Sequence, residues 1–102
     1  MRELMNSCQG LISMLTSHVN GLTKLLMELP TKDHPGAVSL RSSLIKSLTA
    51  LAEMHDHMSS ISHEPIATDH RQRCIAALMR AIEVIHSLAP EDFTIIGVFF
   101  GV

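Results

Sequence analysis

Apolar residues recur along the first part of the chain at alternating steps of four and three residues. One row comprises Leu4, Cys8, Leu11, Leu15, His18, Leu22, Leu25 and Leu29, and a second row, at seven-residue spacing, comprises Met5, Ile12, Val19 and Leu26. At about 100° per residue both rows fall within an arc of roughly 160°, which is wider than the apolar stripe of a helix with one neighbour. The pattern therefore predicts a helix over residues 2–29 that is covered by more than one other helix.

The same spacing predicts a second long helix over residues 35–62. Pro30 ends the first helix, and Pro35 is typical of the first turn of the next one, with Asp33 or His34 as its cap. Its apolar positions are Leu40, Leu44, Ser47, Leu51, Met54, Met58 and Ile61, with Val38, Ile45 and Ala52 displaced around the helix. Two helices of about 26 residues, each about 39 Å long, should fold back on each other as an antiparallel hairpin.

A third helix is predicted over residues 68–88, after the turn at Pro65. Thr68 or Asp69 is expected to cap it. Its predicted apolar face comprises Cys74, Ile75, Leu78, Ala81, Ile82, Ile85 and Leu88. Residues 90–102 follow as a short hydrophobic C-terminal tail that contains all three Phe residues.

These elements predict an all-α fold, an antiparallel bundle of two long helices and one of medium length, in a single domain over residues 1–102. Few aromatic residues, no Trp and seven Met in 102 residues suit helix-on-helix packing. The wide apolar arcs favour a homodimer, most simply one that buries the first helix against its mate around a two-fold axis.

The charge and the ends of the chain limit its class. A net charge of −2 without a basic stripe argues against a nucleic-acid surface. The N-terminus lacks the pattern of a secretory signal, and the longest apolar run, Ile95 to Val102, is too short to span a membrane. We therefore expect a soluble, cytoplasmic protein in which Cys8 and Cys74 are reduced thiols.

Histidines and methionines between residues 53 and 74 raise the alternative of a copper or zinc site. His55 and His57 point about 200° apart on a helix, so these two cannot bind one ion together. We expect His55 to pack among apolar residues and His57 to be solvated. A site built on His57 and His63 with a residue of another helix remains the metal-binding alternative, but no cofactor is the first expectation.

His18 lies within the apolar row of the first helix, where a histidine is most often a hydrogen-bonded core or interface residue. A contact between His18 and His55 is one possibility, because both lie near the middle of antiparallel helices. The sequence contains no Gly-rich loop after a strand, no GxSxG and no paired carboxylates on one face, so an enzyme is not expected.

The long helical hairpin, Glu53-Met54-His55 followed by Met58-Ser59, and the hydrophobic tail resemble the small all-helical antiactivators of bacterial quorum sensing, the TraM-type and QslA-type proteins. This resemblance implies a non-enzymatic dimer that binds a LuxR-type transcription activator and blocks it. It assigns no functional residue to this chain.

The residues themselves predict a helical protein–protein interaction module with surplus apolar surface. Met14, His18, Met27, Phe99 and Phe100 are the candidate partner or dimer contacts, although each could equally belong to an ordinary core. A small secretion-type chaperone is a further alternative. Direct binding of nucleic acid or membrane is not expected.

Overall fold

The chain is all-α, as predicted. The computed structural model describes residues 2–30 and 35–87, which form the helices α1 (Arg2–Glu28), α2 (Pro35–Ile61) and α3 (Ile66–His86). Helix α2 lies in the middle and its backbone closely approaches those of α1 and α3, whereas α1 and α3 meet only through side chains. The predicted tail, with Phe99 and Phe100, lies outside the described residues.

Successive helices are antiparallel. Near one end of the bundle Leu26 of α1 meets Leu44 of α2, whereas further along α2 its Leu51 lies beside Val19 of α1. The main core cluster is built from all three helices and comprises Val19, Leu22, Leu44, Leu48, Leu51, Ala52, Ala77 and Ala81. The seven-residue row of α1 thus faces α2 and α3, since Ile12 and Leu26 also pack against this cluster.

Helix α3 begins at Ile66, before the caps that the sequence predicts. Pro65 is the N-cap residue and makes no side-chain capping bond, while the backbone N–H of Asp69 donates to the carbonyl oxygen of Pro65 at 3.2 Å. The side chains of the predicted caps make other hydrogen bonds, one to the residue before the N-cap and one within the helix. Thr68 donates to the carboxylate of Glu64, and Asp69 accepts from Arg73 at 2.8 Å.

The predicted apolar face of α3 is wrong for three of its large side chains, whereas Ala81 is buried and Leu88 lies outside the described residues. Ile75, Leu78 and Ile82 are 57%, 42% and 50% exposed, and Cys74 is only half-buried. The buried residues of α3 are Ala67, Ala77 and Ala81. The helix is rotated so that its small side chains meet α2, which brings the two helices close and leaves the larger side chains beside the contact.

Met58 of α2 has the lowest solvent exposure of the described residues, since its side chain is completely buried. We expect Met58→Ala to lower the free energy of unfolding by about 2–5 kcal/mol, because it removes a buried side chain and leaves a cavity. Met79 of α3 is 59% exposed, so Met79→Ala should change the stability by less than about 0.5 kcal/mol. Urea titrations followed by far-UV circular dichroism measure both values, and equal losses would contradict this core assignment.

Both glycines of α1 have free space where a side chain would begin. A Cβ atom added to Gly10 or Gly21 would have no atom of another residue within 4 Å, apart from its own neighbourhood in the helix. Each substitution to Ala should therefore raise the free energy of unfolding of the isolated subunit by about 1 kcal/mol. Thermal unfolding at low protein concentration measures this, and a loss of stability would show that an unrecognised contact needs the glycine.

Candidate functional site

The face of α1 that turns away from α3 carries an exposed apolar stripe. Leu4, Leu11 and Leu25 share a seven-residue register with His18, and Met14 lies beside them. The four apolar side chains are 46%, 42%, 50% and 60% exposed, respectively, with Met14 the most exposed of them. These five residues, which we call the α1 stripe, extend over about 31 Å at 1.5 Å per residue. An isolated subunit leaves this surface in water.

His18 is exposed near the middle of the α1 stripe, not buried in the core. With Leu15 it borders a shallow depression whose other wall is α2, formed there by Ser43, Lys46, Ser47 and Ala50. The suggested contact between His18 and His55 is therefore wrong. The two histidines line different clefts, and the ring that meets His55 belongs to α3.

Of the other predicted contact residues, Met27 is 80% exposed and lies on a different face of α1 from Met14. Phe99 and Phe100 are outside the described residues. An exposed patch of α3, the α3 patch, is formed by Ile75, Leu78, Met79 and Ile82, most of which the helical spacing had predicted to lie in the core. Their three- and four-residue spacing was visible, but the rotation of the helix was not.

A pair formed by the buried His55 and the half-buried His70 joins α2 to α3. Nδ1 of His55 lies 2.9 Å from Nδ1 of His70, and the ring centroids are 5.2 Å apart at an interplanar angle of 34°. At this distance one ring donates its Nδ1 proton and the other accepts it. His55 is buried and His57 is exposed, as the helical spacing predicts.

Burial is the main cause that lowers the pKa of His55 below its ordinary value. The neighbouring His70 and then Arg73 lower the pKa of His55 further, while Asp69 opposes them. Protonation of His55 would place a positive charge in a buried position beside His70 and the Arg73 guanidinium. The arrangement therefore favours the neutral form of His55.

The two histidines of the metal-binding alternative lie in solvent. His57 and His63 are both exposed, and within residues 2–30 and 35–87 no three side chains of His, Cys, Asp or Glu form a group that could bind a metal ion. The thiols of Cys8 and Cys74 are free. Burial, and secondarily the carboxylate of Asp56, raises the pKa of Cys74, which favours the protonated thiol.

A groove runs between α1 and α3 with α2 as its floor. It consists of two clefts that share Arg80 as a lining residue, one of about 500 Å³ beside Leu26, Leu44 and Val84, the other of about 250 Å³ beside Val19 and Leu51. Nη2 of Arg80 crosses the groove and donates to Oγ1 of Thr23 at 2.6 Å. We call this feature the central groove.

None of the described helices is long and apolar enough to cross a membrane. Comparisons of the chain with protein-family models, with curated proteins and with solved structures gave no match. The resemblance to quorum-sensing antiactivators therefore stays a prediction.

The histidine pair should make stability depend on pH. Because the folded state lowers the pKa of His55 from 6.5, the unfolded chain binds a proton that the folded chain does not when the pH falls below about 6.5. The free energy of unfolding should be highest above that pH and decrease below it, until the pH passes the pKa of His55 in the folded state. Urea titrations between pH 7.5 and pH 5 (roughly, the range that histidine titration spans) measure this slope.

The matched variants are His55→Gln and His57→Gln. Removal of the buried imidazole of His55 should reduce the dependence of the free energy of unfolding on pH. Removal of the exposed imidazole of His57 should leave that dependence as in the parent protein. The same slope in both variants would show that the acid sensitivity arises elsewhere.

Proposed function

We propose that this protein is a non-enzymatic helical interaction module, a homodimeric cytoplasmic regulator that binds a protein partner and inhibits it. The observation that carries the proposal is the α1 stripe. Single exposed apolar residues are common on protein surfaces, but a continuous row along one helix indicates a surface that another chain covers.

The register of the α1 stripe suits a second copy of the chain. Positions seven residues apart stay on one side of a helix that pairs with another helix. In an antiparallel pair with its two-fold axis near Met14, Leu4 of each copy would lie opposite Leu25 of the other, and Leu11 opposite His18. The open space beside Gly10 and Gly21, at the edge of the stripe, supports this arrangement because it allows a second helix to approach closely.

The regulatory part of the proposal depends on the resemblance to TraM-type and QslA-type antiactivators. The partner it implies is a LuxR-type transcription activator, which the protein would bind without contacting nucleic acid itself. A native-cell pull-down read by mass spectrometry should then give a stoichiometric complex with a transcription factor. A stoichiometric complex with an exported, aggregation-prone subunit would instead favour the secretion-type chaperone.

The dimer is tested by a charge in the middle of the α1 stripe. Met14→Glu should shift the protein from dimer to monomer in sedimentation velocity, because the carboxylate would be buried in the proposed contact. Ser13→Glu is the matched control, since Ser13 is exposed on the same turn of α1 but lies outside the stripe. Its dimer should be unchanged. A parent protein that sediments as a monomer at high micromolar concentration would refute the homodimer.

A further inference from the structure

The side chain of Arg80 is partly buried in the central groove and has no carboxylate partner among the described residues. Its side-chain contact is the neutral hydroxyl of Thr23, and within the described part of the chain no Asp or Glu forms an ion pair with it. A guanidinium has five N–H donors, and its planar fork matches a carboxylate. A cation that is half withdrawn from water and has no counter-charge is a favourable position for an anionic ligand.

The other described lining residues of the central groove add no negative charge. Arg73 lines the smaller cleft together with His55, whose neutral form is favoured, and no Asp or Glu is among the described residues that line either cleft. Arg73 is partly neutralised by its ion pair with Asp69, at 2.8 Å. Arg80 lies at the junction of the two clefts. A carboxylate added to the groove would therefore interact most favourably at Arg80.

Apolar side chains make up much of the remaining lining, which argues for a protein segment and not for a small anion. Leu26, Leu44 and Val84 lie in the larger cleft, and Val19 and Leu51 lie in the smaller one. The groove follows α3 from Arg73 to Val84, about 16 Å at 1.5 Å per residue, which corresponds to about three helical turns. A helix placed between α1 and α3, opposite α2, would complete a four-helix bundle.

We propose that the central groove binds an acidic, amphipathic helical segment of the protein partner, with one carboxylate on Arg80 and apolar side chains one turn before and after it in the two clefts. This inference rests on the proposed interaction function and adds the chemistry of the partner. The groove and the α1 stripe lie on different faces of α1, so a dimer can bind the segment.

The test uses the full chain and a fluorescein-labelled synthetic helical peptide of about four turns. One face of the peptide carries Leu at three- and four-residue spacing with Glu at its centre, and a matched peptide carries Gln in place of that Glu. Fluorescence anisotropy should show that the Glu peptide binds at least about tenfold more tightly, because Gln keeps one acceptor oxygen but loses the negative charge and the bidentate pairing with the guanidinium.

Arg80→Gln should abolish the difference between the two peptides. Arg71→Gln is the matched control on the same helix, since Arg71 is exposed and pairs with Glu64 outside the groove, and it should keep the full difference. Arg80→Lys retains the charge without the fork and should keep part of the difference. This second variant, checked by circular dichroism, covers the case in which Arg80→Gln does not fold.

Three results would overturn the proposal: no binding of the Glu peptide at millimolar concentration, equal binding of the two peptides, or a preference that survives Arg80→Gln. A higher peptide affinity of the full-length variant Glu91→Gln/Asp92→Asn would assign the groove to the chain's own C-terminal residues and also overturn it. The dimer test is separate, because Met14→Glu should bind the peptide like the parent protein. A negative result in the peptide assay can thus be distinguished from a negative result in the dimer test of the proposed function.

Discussion

Everything else in this structure depends on the contact of α2 with helices on two sides. Helix α2 buries Leu44, Leu48 and Leu51 between its neighbours, while α1 and α3 each have one covered face. With three helices of this length in one copy, the outer two cannot hide all of their apolar residues. Which apolar residues of α1 and of α3 remain exposed depends on the side chains with which each helix contacts α2.

The two outer helices contact α2 through side chains of different size. Helix α3 approaches α2 with Ala67, Ala77 and Ala81, so the contact is close and its large aliphatic side chains remain beside it. Helix α1 uses larger side chains, Val19 and Leu22, at its contact. The members of the first apolar row that this contact leaves exposed, Leu4, Leu11, His18 and Leu25, belong to the α1 stripe. The result is three separate surfaces on one small subunit, namely the α1 stripe, the α3 patch and the central groove. In the proposed regulator, separate surfaces allow self-association and partner binding at the same time.

Two polar contacts link the helices inside this arrangement, whereas the buried hydroxyls of Ser42 and Ser62 have no hydrogen-bond partner among the described residues. His55 and His70 join α2 to α3 by one hydrogen bond in a partly buried position, where an apolar pair of the same size would stabilise the helices without any response to pH. Arg80 joins α3 to α1 across the groove through Thr23. The two contacts lie on the same side of the bundle, where Arg73 and Arg80 line the smaller cleft and supply positive charge that the net charge of −2 does not reveal.

The helical class, the ends of α1 and α2 to within a residue or so, and the opposite environments of His55 and His57 follow from the sequence, because helical periodicity is a local property of the chain. The sequence also indicated that the apolar arc of α1 is too wide for one neighbour. The sequence did not determine which half of that arc is covered. Nor did it show that α3 presents alanines, and not Ile75 and Leu78, to α2, or that His55 contacts His70 and not His18. Nor does any local pattern distinguish Arg80 from the other arginines of α3. These outcomes depend on the distances between the helix axes and on the rotation of each helix. Both are set by how side chains from different parts of the chain fill the same space, so only the tertiary structure decided them.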